Sequence, residues 1–412
     1  MNKSLSHFAA LGLLTFGVSV QAQSLQEVIQ AALTEYPGAK AAQAGVVGAQ
    51  AEIDRAKGAQ MPTVSLNASS SRFDGAEAQN LVTPLVVYKT PLGGRVQADI
   101  LRSEYAAKVA QAKVQVNRDD VALQVSEAWL AVVRGLDMVK LAKSNVAEHE
   151  AILGDMRKIV DVDAGRSIDL VQAQVRVESA RINQVQREAE LAQAKEKLNR
   201  FWAQPLNANA FGAYPNLPKG ISADENQALA QVQTVPSVLQ AQAQLQEAQA
   251  KVEGAQAQYK PTLDFSLGRE YTGVARGNQA KLQAQFSWPL YNGQQTDAGV
   301  RSAQSQVVAA KDTLSEVELM ARERIRLAYT EWTSAKTRAD IASQQRVQGE
   351  KLVAGYQQQF RMARRSLLDL LNIQGEYASY QQSAALAQYD MKLAEYRISA
   401  ALGELAAHFT QP

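Results

Sequence analysis

The 412-residue chain contains no cysteine, only three histidines and eleven prolines, and its aromatic residues amount to 6%. Without thiols, neither disulfides nor cysteine chemistry contribute. The histidines, His7, His149 and His408, stand in no metal-ligand spacing with one another or with acids, and no catalytic constellation is visible. Beyond the N-terminus there is no apolar run of about 18 residues, which excludes an ordinary helical membrane domain. The formal charge of +2 is spread along the chain, arguing for neither nucleic acid nor acidic-substrate binding. Alanine and glutamine dominate instead, a composition suited to long, closely packed helices.

The first 22 residues carry Lys3, an apolar stretch from Phe8 to Val20 and a small-residue ending at Ala22, which predicts a cleaved secretory signal. No cysteine follows the predicted cleavage, so a lipid anchor there has no attachment atom. The rest of the chain repeats itself at an offset of 199 residues: Pro37 recurs as Pro236, Pro62 as Pro261 and Gly94 as Gly293. Ala42, Val46, Ala49, Ile53 and Ala56 likewise fall on Ala241, Leu245, Ala248, Val252 and Ala255. Two copies of one supersecondary unit are therefore expected, residues 23–204 and 223–412, joined by a linker over 205–222 rich in proline and glycine.

Each unit reads as helix, strand pair, long helix and returning helix. Val125, Val132, Val139, Val146 and Leu153 recur every seven residues on a helix predicted from about 95 to 157, long enough to span about 90 Å. Val300, Val307 and Leu314 open its counterpart, and Val238, Leu245, Val252 and Tyr259 keep the same period with alanines between them. Return helices are expected over 166–203 and 366–408. A rod, a stalk or a tunnel needs such lengths; a globular core does not.

Between the helices, Thr262 to Leu267 and Lys281 to Trp288 alternate polar and apolar, as do Thr63 to Ala68 and, less regularly, Leu81 to Thr90. Strands of roughly ten residues with one apolar row suit a transmembrane β-barrel. Four strands cannot close one, and open edges are untenable in hydrocarbon. Three chains would supply twelve. The alternative of a non-conducting periplasmic coiled-coil scaffold leaves these strands without a role.

Short motifs mark both ends of the long helices. Pro91-Leu92-Gly93-Gly94-Arg95 and Pro289-Leu290-Tyr291-Asn292-Gly293 occupy matching strand-to-helix junctions, where Gly94 and Gly293 permit a tight turn and Pro91 and Pro289 end the ladder. They lack the spacing and lysine of a phosphate-binding loop. At the far ends, Arg166-Ser167-Ile168-Asp169-Leu170 matches Arg365-Ser366-Leu367-Leu368-Asp369-Leu370. Ser167 and Ser366 are candidate helix caps, with Asp169 and Asp369 in the first turns. Asp369, with Asn372 three residues on and Arg361, Arg364 and Arg365 before it, is the candidate gate: such groups form charged rings where chains meet on an axis. Arg166 and Asp169 form a secondary tip turn, and Asp155, Asp161 and Asp163 around Arg157 and Lys158 a weaker cluster.

The paired prolines, the FSWPLYNG segment at 286–293 and the RSLLDLLNIQGEY segment at 365–377 resemble the TolC outer-membrane factor family over about residues 24–409. That resemblance implies a mixed α/β membrane protein: a homotrimer whose twelve-stranded β-barrel in the outer membrane continues as a long α-helical coiled-coil barrel across the periplasm. It implies a passive exit duct without cofactor or enzymatic activity, docking with a periplasmic adaptor (membrane fusion) protein and an inner-membrane ABC transporter or proton-driven pump. It also implies a constriction of two carboxylates on the returning segment, of which Asp369 matches the first, while Asn372 replaces the second and weakens that ring. The RSLLD segment and the missing anchor cysteine lean the reading towards type I protein secretion, with small-molecule or drug efflux as the alternative.

Overall fold

The computed structural model describes residues 24–72, 74–75, 78–202, 211, 215–217, 224–272, 279–362 and 364–410. The predicted signal segment, most of the predicted linker and the turn containing Gly273, Gly277 and Asn278 lie outside the described residues. In the first half, α1 (Leu25–Glu35) and α2 (Pro37–Gly58) lead through β1 (Thr63–Ser71) and β2 (Gln79–Pro91) to α3 (Arg95–Val162), a 3-10 turn at Ala164–Arg166 and α4 (Ser167–Asn199). In the second, α5 (Glu225–Ala230) and α6 (Pro236–Gln256) precede β3 (Thr262–Thr272), β4 (Gln279–Ser287), α7 (Gln295–Arg361), α8 (Leu367–Ala401) and α9 (Leu405–Thr410). Pro37 and Pro236 each take the first position of a helix, where a missing N–H sacrifices no hydrogen bond.

The long helices α3 and α7 run 68 and 67 residues, each about 100 Å. The sevenfold row Val125, Val132, Val139, Val146 and Leu153 is buried along its whole length. On α6 the expected row is only partly buried: Val238, Ala241 and Ala248 are inside, whereas Tyr259 is exposed. The second return helix is shorter than expected. It stops at Ala401, because Gly403 adopts φ 73° and Glu404 N–H donates back to the Ser399 carbonyl at 3.1 Å, a left-handed stop that sequence periodicity does not register. The chain then turns into α9, and Asp119 of α3 accepts the Ala406 N–H at 2.8 Å.

Partners change along each long helix. Near the sheet, α3 packs between α2 and α6, and α6 against α7; further on, α3 packs between α4 and α8, and α8 against α7. The main apolar core lies at the changeover, where Val28, Ile29, Val125, Leu130, Leu198, Tyr396 and Leu405 bring α1, α3, α4, α8 and α9 together. A second core, with Met156, Val177, Leu367 and Leu371, closes the far end.

The helical layer is open at both sides. In its far half the order is α4, α3, α8, α7, which leaves α4 and α7 as edges. Each edge helix carries an unpartnered apolar row at heptad spacing. Ile168, Val171, Val175, Ile182 and Val185 are all exposed on α4, as are Met320, Leu327 and Ile341 on α7.

The sheet is open in the same sense. Its four antiparallel strands lie in the order β1-β2-β3-β4, so β1 and β4 have free edges. Pairing Val64 with Val86, Val86 with Leu267 and Leu267 with Leu282 gathers the apolar rows of β1, β3 and β4 on one face with Val82 and Val86 of β2, whose Leu81, Leu85 and Val87 lie on the other. The opposite face carries Ser65, Asn67, Lys89, Asp264, Gln283 and Gln285, with Lys89 directly opposite Asp264.

Candidate functional site

At the strand-to-helix junctions, Gly94 adopts φ 74° and is the residue before α3, and Gly293 adopts φ 67°. In the second copy Gln294 is also left-handed at φ 66° and takes the capping position, so the repeat slips by one residue there. Pro91 is the last residue of β2, whereas Pro289 falls two residues beyond the end of β4. Trp288, expected as the last residue of its strand, lies just beyond β4 and donates its indole N–H to the Tyr259 carbonyl at 3.0 Å, while the Tyr259 hydroxyl donates to Asp297 in the first turn of α7. The end of α6 is thereby tied to the start of α7. Neither bond connects residues that sequence spacing brings together.

At the far tip the two hairpins α3/α4 and α7/α8 converge on an open cleft of about 1080 Å³. Asp155, Lys158 and Arg166 line it from one side, and Arg361, Arg364, Arg365, Ser366 and Asp369 from the other. Asp369 belongs to a capping box: Ser366 Oγ accepts the Asp369 N–H at 3.1 Å and donates to its carboxylate at 2.8 Å. Its counterpart Asp169 instead holds Arg166 at 2.8 Å. Ser167 does not cap α4; it is the first helical residue, and Asp163 accepts the Gly165 N–H just before it.

The arginines placed beside Asp369 by sequence do not bond it within one chain. Arg365 donates to Gln359 Oε1 at 3.1 Å and lies 4.6 Å above the Tyr356 ring. Among the described residues, Arg361 and Arg364 make no ion pair. Three guanidinium groups thus face the cleft with no carboxylate partner of their own. Lys158 is paired with Asp155 at 3.0 Å.

Asn372 accepts a hydrogen bond at 3.3 Å from Arg176 of α4, a link between the hairpins that sequence reading missed. Arg176 lies one heptad beyond Asp169, but nothing in the local pattern points across to α8. Beside it on α3, His149 is buried, and its imidazole is held below the usual value first by burial and then by the Arg176 guanidinium. Further up, Arg397 of α8 bridges Glu331 of α7 at 2.6 Å and Glu127 of α3 at 3.3 Å. Among the described residues no group of histidines and acids is arranged to hold a metal.

The sequence profile of the family described as "Outer membrane efflux protein" matches twice, at residues 28–204 and 227–404, one match per structural repeat. The cobalt-zinc-cadmium resistance protein CzcC of Cupriavidus metallidurans is 27% identical over 57% of this chain and 57% of its own length. The outer membrane efflux protein BepC of Brucella suis is 21% identical over 76% of this chain and 70% of its own. The solved CmeC outer membrane channel of Campylobacter jejuni superimposes with a TM-score of 0.79 at 15% identity, covering 98% of this chain and 93% of that one. The matched stretch spans a little over half of the CzcC relative.

Proposed function

This chain belongs to the outer membrane efflux protein family, and on that footing we propose that three copies of it close into one exit duct of an efflux machine. The observation that carries the proposal is the pair of open edges. Strands β1 and β4 and helices α4 and α7 end the same molecule on opposite sides, each with a surface that needs a neighbour. Joining one copy's β4 and α7 to the next copy's β1 and α4 is a head-to-tail contact, which generates a ring when the rotation closes. Three copies give twelve strands, an even number within the range of membrane barrels. The apolar sheet face then meets lipid, and the face with Lys89, Asp264 and the glutamines lines water.

The duct is passive and takes its energy from an inner-membrane ABC transporter or proton-driven pump, reached through a periplasmic adaptor that meets the helical tips. There Arg361, Arg364 and Arg365, unpaired with acids in one chain, restrain the mouth by bridging carboxylates of neighbouring copies, with Asp369 and Asn372 at the constriction.

The cargo we assign is small solutes rather than secreted polypeptide. CzcC, the relative named for cobalt, zinc and cadmium resistance, and the efflux protein BepC support this reading over type I secretion. A strain lacking the chain is expected to accumulate small toxic solutes, assayed with cobalt, zinc, cadmium and a panel of cationic dyes, and to keep its set of extracellular proteins. Loss of a secreted polypeptide with unchanged solute accumulation would reverse the assignment.

A further inference from the structure

On the apolar face of the sheet one side chain is out of place. Arg269 of β3 shares that face with Leu263, Phe265, Leu267 and Tyr271, and is the only ionised residue on it among the described strand residues. Its lateral neighbours follow from the register. Leu267 pairs with Val86 and Leu282, and two residues further along Arg269 stands opposite Ala280, beside the Leu66–Pro84 pair. A charge on a lipid-facing surface is destabilising in proportion to its depth, so its position and neighbours decide what it does.

On the side away from the helices the face turns polar within two rows. The Arg269 guanidinium carbon lies 5.3 Å from the Tyr271 ring centroid, a cation–π contact with the residue one row nearer the outer rim. Beyond the Tyr271 row, Ser70 of β1 and Asn80 of β2 pair with each other on the same face, and both are exposed. Guanidinium, phenol, hydroxyl and amide therefore succeed one another, and among the described strand residues no carboxylate shares the face. Asp264 falls on the opposite face by parity. A guanidinium with unspent donors matches a phosphate in a planar, two-pronged geometry.

We infer that Arg269, held against the Tyr271 ring, forms a site at the outer rim for a phosphate of a phosphorylated glycolipid in the outer leaflet, with Ser70 and Asn80 further along the face offering polar contacts to the rest of the same headgroup. The site rests on the barrel reading above, which turns this face towards lipid. Three such sites then surround one duct and anchor its rim in the leaflet whose headgroups carry the negative charge.

The test uses the full mature protein, purified as its assembled trimer and exchanged into mild detergent with defined lipid. The probes are diphosphorylated lipid A, the same lipid stripped of its phosphates, and inorganic phosphate as competitor, with lipids retained per trimer counted by native mass spectrometry. We expect about tenfold preference for the phosphorylated lipid, a ratio near one for Arg269→Gln and an intermediate ratio for Arg269→Lys. Inorganic phosphate at millimolar concentration should leave the lipid in place; its displacement of the lipid would assign the site to free phosphate and overturn the proposal. An Arg269→Gln trimer that conducts in planar bilayers with unchanged lipid preference overturns the lipid site alone. A wild-type chain that never assembles or conducts removes the barrel reading, and this site with it.

Discussion

The carboxyl of Asp119 is raised from its ordinary value of 3.8 to about 6, chiefly because it is buried and despite the Ala406 N–H it accepts. Its folded value lies above its unfolded one. Its contribution to stability is therefore complete below pH 3.8 and is lost as the pH rises through about 6. Asp119→Asn keeps an acceptor for α9 and removes the buried charge. Denaturant unfolding should show the variant more stable at pH 7.5 by roughly 1–3 kcal/mol, with the gap nearly closed at pH 4. A gap independent of pH would mean that Asp119 is neutral, or well hydrated, in the folded protein. In sequence this residue is one polar position within a long helical pattern, and its role depends on a helix 287 positions away.

At the scale of elements, the two far hairpins are the part expected to move. Arg176 donating to Asn372 is the one cross-hairpin hydrogen bond at this end among the described residues. In the proposed ring, Arg361 and Arg364, which line the tip cleft, are the groups left to tie one copy to the next. Replacing both with glutamine should raise open probability in single-channel recordings by about tenfold, the effect of losing about 1.4 kcal/mol of closed-state bridging. Unchanged gating would make these arginines solvated surface groups.

The elements themselves were legible in the sequence because periods of seven and two are backbone properties. The buried valine row of α3 and the one-sided strands follow directly from them. The break at Gly403 was missed because the sevenfold row was followed past it, although a glycine there closes a helix with a left-handed turn. The tip was legible in part. Sequence placed Asp369 in the first turn of α8, but the capping box with Ser366 and the Arg176 link to Asn372 are set by side-chain geometry that spacing does not encode.

At the scale of the whole molecule, the proposed ring accounts for three unsatisfied surfaces together. The free strand edges, the exposed heptad rows of α4 and α7 and the one-sided sheet are separate features of the sequence. Closing the ring answers all three. Because the native chain has no cysteine, an introduced pair reports on that closure without background. Ser65 on β1 and positions Lys281, Gln283 and Gln285 on β4 lie on the polar face, at opposite edges of a four-stranded sheet, with β2 and β3 between them. At about 4.8 Å per strand that separation is far beyond the reach of a disulfide within one chain. The decisive measurement is oxidation of Ser65→Cys combined in turn with Lys281→Cys, Gln283→Cys and Gln285→Cys in native membranes, read by non-reducing electrophoresis. The account predicts that at least one pairing yields covalent dimers and trimers and nothing larger; chains that stay monomeric in every pairing, or a ladder extending past three, would contradict it.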